Sequence, residues 1–297
     1  MTWTPGLQLL VLGLIMVVLM SAGWAWQRRW RNTGIVDAVW AAGVGLGAIL
    51  MAVTGSGGTP PRLLLGGLGA VWAARLAWLI ARRLRQDPHR EDGRYRALRA
   101  HWQDNQLKLY GLFLAQAFLV VMFALPFVAV AANPVATFTP VLWLGVAIWV
   151  IAVAGETWAD AQLAAFRSVP AHRGRTCRQG LWRYSRHPNY FFEWLHWFAY
   201  VALAWGSPWF WLACMGPLVM YVFLRWISGI PYTEAQALRT RGDDYRRYQQ
   251  ETPMLIPWPV RRRSSPLRRP RHELHACLLY TSPSPRDVEE SRMPSSA

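Results

Sequence analysis

Lysine is almost missing from this sequence: Lys108 is the only one, and every other basic residue of the 32 is an arginine. Acidic residues are scarce too, 16 in 297, which leaves a formal net charge of +16. The three cysteines, Cys177, Cys214 and Cys277, share no metal or disulfide spacing. A zinc site and a disulfide-stapled secreted fold are therefore excluded, and no metal is expected. No Gly-x-Gly-x-x-Gly occurs, and no Gly-x-x-x-x-Gly-Lys. A dinucleotide bound here would need a helical site, not a Rossmann turn.

What is present is apolar length. The chain is 53% hydrophobic with 19 tryptophans, and runs near the ~20 residues needed to cross a bilayer recur along it. Seven spans are expected, at residues 7–26, 35–53, 63–81, 107–131, 141–160, 188–206 and 208–227. The first lacks a positive n-region and a clear cleavage site, so it reads as a span and not a signal peptide. Arginines crowd alternate connections: Arg28, Arg29 and Arg31, then Arg82 to Arg99, then Arg167 to Arg186, then Arg239 to Arg247. The intervening connections hold a single Arg62 or no charge. By the positive-inside rule the N-terminus lies outside and the basic loops are cytoplasmic. The expected fold is all-α: a polytopic membrane protein with seven transmembrane helices and a cytoplasmic C-terminus, and the expected location is a bacterial inner membrane with the cofactor site facing the cytoplasm. The basic charge reads first as topology and second as anion binding, so no nucleic-acid partner and no obligate protein partner are expected.

Residues 1–260 form the membrane domain, and 261–297 read as a disordered tail of Arg, Ser and Pro. Within the tail, from about residue 276, Cys277 to Asp287 resembles an out-of-frame translation of a transposase adaptor used in making sequencing libraries, and is set aside from the fold. The tail holds eight arginines and four acids, so residues 1–260 keep a net charge of +12.

Ionisable groups inside a span are costly and mark sites. Asp37 opens the second span, Arg75 lies midway through the third, and Glu156 and Asp160 close the fifth one helical turn apart. An ion pair between Arg75 and Asp37, and a solvated helix end for Glu156 and Asp160, are the plain structural readings. The sixth span follows Ser185-Arg186-His187-Pro188-Asn189-Tyr190. Pro188 suits the first turn of a helix. From there Asn189, Glu193, His196 or Trp197, and Tyr200 share one stripe. Arg225 closes the seventh span. All but Arg75 fall in the cytoplasmic half, which points to one polar cavity roofed by Arg-rich loops. Guanidinium groups there can pair with phosphates, and carboxylates can hold ribose hydroxyls.

Arg186-His187-Pro188-Asn189-Tyr190 followed by Glu193 resembles the C-terminal signature of the steroid 5-alpha-reductase family, closest to its bacterial DUF1295-type membrane branch. Glu156-x-x-x-Asp160, Arg167, Arg175, Gly180-Leu181-Trp182, Trp197 and Arg225 follow in the order and approximate spacing of that family. The resemblance covers about residues 141–257. It implies NADPH-dependent reduction of the C4–C5 double bond of a 3-oxo-Δ4 steroid, or of a related apolar enone drawn from the bilayer. Hydride passes to the β-carbon while a hydrogen-bond donor meets the developing enolate charge in a dry site. By the same resemblance Glu156, Asp160, Arg167, Arg175, His187, Asn189, Tyr190 and Arg225 hold the cofactor. Trp197, with Trp40 and Trp72, lines the steroid slot, and Glu193 and Asp37 are the catalytic candidates.

The sequence departs from the family in two places. Asp37 and Trp72 stand where the mammalian enzymes carry a Gln-Glu pair and a Tyr, and Phe192 stands where the family usually has Gly. Two other classes stay open. The Arg-His-Pro-x-Tyr motif also occurs in isoprenylcysteine methyltransferases, which use S-adenosylmethionine and carry paired tyrosines in the tail, as Tyr245 and Tyr248 are here. A non-enzymatic lipid-binding or scaffold protein is the third.

Overall fold

The computed structural model describes residues 2–86, 91–227 and 229–259. Residues 261–297, with the expected tail and adaptor-like segment, lie outside them. Ten α-helices and no strand occur among the described residues. They are α1 (Pro5–Trp30), α2 (Ile35–Thr54), α3 (Thr59–Gln86), α4 (Gly93–His101), α5 (Gln106–Ala131), α6 (Pro140–Ser168), α7 (Pro188–Leu203), α8 (Phe210–Val222), α9 (Ile230–Arg241) and α10 (Asp243–Glu251).

Local chemistry starts these helices. Thr4 and Thr139 accept from the amides of Leu7 and Leu142, each followed by a proline at the first helical position. Asp92 caps α4 through the amide of Arg94, and Asn105 caps α5 through Leu107 and Lys108. Each side-chain oxygen satisfies an amide that has no partner within the helix.

The burial pattern is inverted relative to a water-soluble bundle. Leu12, Met16, Trp72, Phe113, Phe127, Trp197 and Tyr200 fill the interior, while Leu10, Leu14, Val18, Phe118, Trp158, Trp211 and Leu218 face outward. So large an apolar exterior is stable against hydrocarbon, not water. Six helical stretches are long and apolar enough to cross a membrane: α1, α2, α3, α5, α6 and the run from Phe210 to Arg241. The protein is a multi-pass integral membrane protein by this pattern. The stretch expected as the sixth of seven spans is α7, which has only 16 residues. At 1.5 Å per residue that is about 24 Å, short of a ~30 Å hydrocarbon core.

Two boundaries differ from expectation in ways that shape the site. α6 continues past residue 160 to Ser168, because nothing in Asp160-Ala-Gln-Leu-Ala-Ala-Phe breaks a helix. Glu156 and Asp160 are therefore interior helical residues and not its end. The helix begun by α8 loosens into a π-helical turn, Phe223–Ile227, and such turns re-aim side chains. Here Phe223, Leu224 and Ile227 are turned into a cavity.

Candidate functional site

The site is built on α7. Pro188 occupies its first turn, so Asn189, Glu193, His196 and Tyr200 project from one stripe. Asn189 Nδ2 donates to Asp160 Oδ1 on α6 (3.1 Å). Glu193 accepts from the indole N–H of Trp72 on α3 (3.4 Å). His196 stacks on the same indole with centroids 5.1 Å apart, and its Nε2 lies 3.2 Å from the Tyr200 hydroxyl. All three helices are thus tied to one polar line, exposed at Asp160 and buried at His196 and Tyr200.

Phe192, the departure from the family's Gly, has a local counterpart. Its ring lies where a side chain at Gly155 of α6 would be. The small residue has moved across the helix pair, and α6 and α7 still pack closely.

The expected pairing of Arg75 with Asp37 does not form. The Arg75 guanidinium reaches Glu156 and, at 3.0 Å, the Thr157 hydroxyl, so it faces α6. Glu156, with a side chain only 13% exposed, is correspondingly no solvated helix end. Asp37 is met from the other side by α4, which sequence reading had not singled out. The Tyr95 hydroxyl donates to Asp37 Oδ1 (2.5 Å), and Arg94 lies 3.2 Å from Oδ2. Burial, then the neighbouring Asp37 carboxyl, pushes the Tyr95 phenol well above the ordinary tyrosine range. Tyr95 therefore stays protonated at any working pH and remains a donor.

Two cavities adjoin here. One, of about 610 Å³, is apolar along Trp40, Leu76, Leu112, Leu119, Phe123 and Met220, with Asp37, Glu156, Glu193, Tyr95 and Gln116 as its polar points. The other is a cleft of about 980 Å³ lined by Arg167, Arg173, Arg175 and Arg241, with Thr233, Gln236 and Thr240. Arg94, Tyr190 and Tyr232 line both. None of Arg167, Arg173, Arg175 and Arg241 has an ion-pair partner among the described residues, whereas nearby Arg178 and Arg186 are each paired. Four unneutralised guanidinium groups around one cleft make an anion site.

The other expected site residues fall into three groups. Asn189 and Tyr190 line the apolar cavity, and Tyr190 reaches the cleft as well; Asp160 stands beside them through Asn189. Trp40 lines the apolar cavity, while Trp72 and Trp197 are wholly buried behind it. Trp197 stacks on Phe127 at 6.0 Å. His187 and Arg225 line neither cavity. Arg225 lies over the Trp226 ring at 5.6 Å. His187 is buried, with Nε2 3.3 Å from Glu234 Oε1, and burial holds its imidazole below the usual range despite that carboxylate. Arg94, Tyr95, Tyr232, Glu234 and Arg241 were missed. Asp92 before Gly93 is a capping signal that could have located α4, but nothing in the pattern says that its side chains reach Asp37.

No curated protein and no solved structure matches the chain. A family model described as "Protein of unknown function (DUF1295)" matches residues 23–252. That stretch includes every residue lining the two cavities, and the chain belongs to the DUF1295 family.

Proposed function

We propose that this protein is a membrane reductase that uses NADPH to reduce the C4–C5 double bond of a 3-oxo-Δ4 steroid or a related apolar enone. The observation that carries the reading is the junction of an apolar, carboxyl-bearing cavity with a basic cleft through Arg94, Tyr190 and Tyr232. A cavity of about 610 Å³ is of the size that encloses a small apolar ligand. The cleft's unpaired arginines suit a polyphosphate, including a ribose 2′-phosphate. Arg167, Arg175 and Arg241 would hold the phosphates, Tyr190 stands where the cleft meets the cavity, and Asn189 and Glu156 line the cavity beside it. In this topology α7 is the sixth of seven spans, the N-terminus is outside, and the basic ends face the cytoplasm of a bacterial inner membrane.

When bound, NADPH supplies the hydride that reaches the β-carbon. The residues of the chain then have to meet the electrons displaced onto the ketone oxygen. Tyr95, its single hydroxyl proton turned from Asp37 onto that oxygen, donates a hydrogen bond to it and supports the enolate. Return of the carbonyl takes one proton at the α-carbon, so the product carries two added hydrogens. Tyr95 is the donor in this reading, and Asp37 orients it. Trp40, Phe123 and the leucines around them exclude water from the step.

The test is NADPH oxidation by the purified full chain in detergent, with and without progesterone, the product being identified by mass. Steroid-dependent oxidation with a product two hydrogens heavier is expected. NADPH binding without turnover would reject the steroid as substrate. Absence of NADPH binding, together with methyl transfer from labelled S-adenosylmethionine, would favour the methyltransferase alternative.

A further inference from the structure

Arg186 and His187, the second of which was expected to hold the cofactor, line neither cavity and meet one carboxylate. Glu234 Oε1 accepts from Arg186 Nε at 2.7 Å and lies 3.3 Å from His187 Nε2. Its Oε2 accepts from Gln249 Nε2 at 2.9 Å, and the Tyr245 hydroxyl approaches Oε1 at 3.4 Å. Arg186 goes on to donate to the carbonyls of Gln249 (3.0 Å) and Thr252 (2.8 Å). The start of α7 and the helices α9 and α10 therefore meet at a single side chain.

That carboxylate sits on α9, which is also held by the buried Ile230 and Ala237 and by Thr233, 3.2 Å from the Tyr190 hydroxyl. Gly229 precedes α9 with no side-chain cap, and Gly242 ends it at φ 52°, a left-handed conformation that glycine adopts without strain. Yet α9 supplies much of the cleft wall, including Tyr232, Thr233, Gln236 and Arg241. Glu234 lines neither cavity. To these contacts a hydrogen-bonded charge pair with a guanidinium adds a strong directional tether for a glycine-flanked helix.

We propose that Glu234 is a positioning residue: by docking on Arg186 and His187 it fixes α9, and so presents Tyr232 and Arg241 to the anion in the basic cleft. The motif then serves the cleft at one remove, through Glu234. The nucleotide part of this inference rests on the function proposed above, while the docking part does not.

The experiment uses the full chain in detergent, with Glu234→Ala and Glu234→Gln. Two quantities are read: amide hydrogen exchange across residues 230–241, and the Kd for NADPH with kcat at saturating NADPH. Glu234→Ala is expected to speed exchange in 230–241 while leaving 35–54 and 106–131 unchanged. It raises the Kd about tenfold, as a small misplacement of a binding group does, with kcat within about twofold of the parent. Glu234→Gln keeps an acceptor oxygen and lies between the two. Unchanged exchange in 230–241 overturns the docking role, whatever the nucleotide result. Faster exchange with an unchanged Kd overturns the link to the cleft. If the parent protein binds no NADPH, the functional reading fails, and the exchange result alone decides whether Glu234 positions α9.

Discussion

The two ends of the helix bundle are held together by different chemistry. At the basic end the contacts are ionic: Arg99 joins Glu91 (3.0 Å) and Asp104 (2.5 Å), Arg31 joins Asp104 (2.6 Å), and Arg94 joins Asp37. At the opposite end they are mainly backbone contacts. Gly57 and Gly58 donate to the carbonyls of Ala131 (2.8 Å) and Asn133 (2.7 Å). Asn133 Nδ2 donates to the carbonyls of Leu203 (2.8 Å) and Trp205 (3.1 Å). Even Arg62 there is spent on the carbonyls of Ala52 and Val53. Backbone pairing joins the helices at this end, where a groove of about 470 Å³ is lined in part by Arg62, already spent on carbonyls. Ionic contacts between long side chains leave space between helices, and both the basic cleft and the carboxyl-bearing cavity are at that end. One end is built as a seal and the other as a site.

The sharpest way to break this contrast is in the carboxyl-bearing cavity. On the reductase reading, Tyr95→Phe removes the donor but keeps the ring. It should lower kcat by about 10²–10³-fold, the usual cost of one oxyanion donor, with the Kd for NADPH unchanged. Steady-state kinetics checks this, and a normal kcat would remove Tyr95 from the mechanism. Next comes the cleft. Arg175→Ala and Arg241→Ala should each weaken NADPH binding about tenfold, the worth of one charged hydrogen bond, and weaken NADH less, as competition titrations would show.

The sealing end should respond oppositely. A methyl group at Gly58 would run into the carbonyl of Val135. Gly58→Ala is therefore expected to cost about 1–3 kcal/mol of stability, as overpacking does, while leaving NADPH affinity alone. Thermal unfolding in detergent and a binding titration separate the two. Loss of binding without loss of stability would mean that the ends are not independent.

The smallest effect is expected from acid. Burial raises the Glu91 carboxyl, but hydrogen bonds from Arg99 and Thr33 outweigh it, and its pKa is lowered. Asp104 is lowered in the same way by Arg99 and Arg31. A carboxylate depressed on folding stabilises the protein above its unfolded pKa and loses that contribution as pH falls through the folded one. The melting temperature should stay level down to about pH 5 and decline below about pH 4, near the unfolded carboxylate values. Glu91→Gln should flatten that decline.

Much of the site could be read from residue types and spacing. Pro188 with Asn189, Glu193, His196 and Tyr200 is a short-range helical pattern, so the polar stripe of α7 follows from local geometry. The carboxyls of Glu156 and Asp160 are one turn apart for the same reason. The partner of each charge could not be read in this way. Arg75 is 81 residues from Glu156 and Asp37 is 58 from Tyr95, and which pairs form depends on how helices rotate against one another. His187 was expected at the cofactor because its motif resembles the family signature, and its partner Glu234, 47 residues away, is not written in that motif.

By itself the sequence determined that the chain is helical and embedded, because long apolar runs without backbone partners other than their own must coil into helices in hydrocarbon. It also determined that arginine collects at alternate connections. Only the tertiary structure decided that four of those arginines have no ion-pair partner among the described residues around one cleft while others are neutralised. Composition counts charges, but the distance between side chains from separate helices sets which of them cancel.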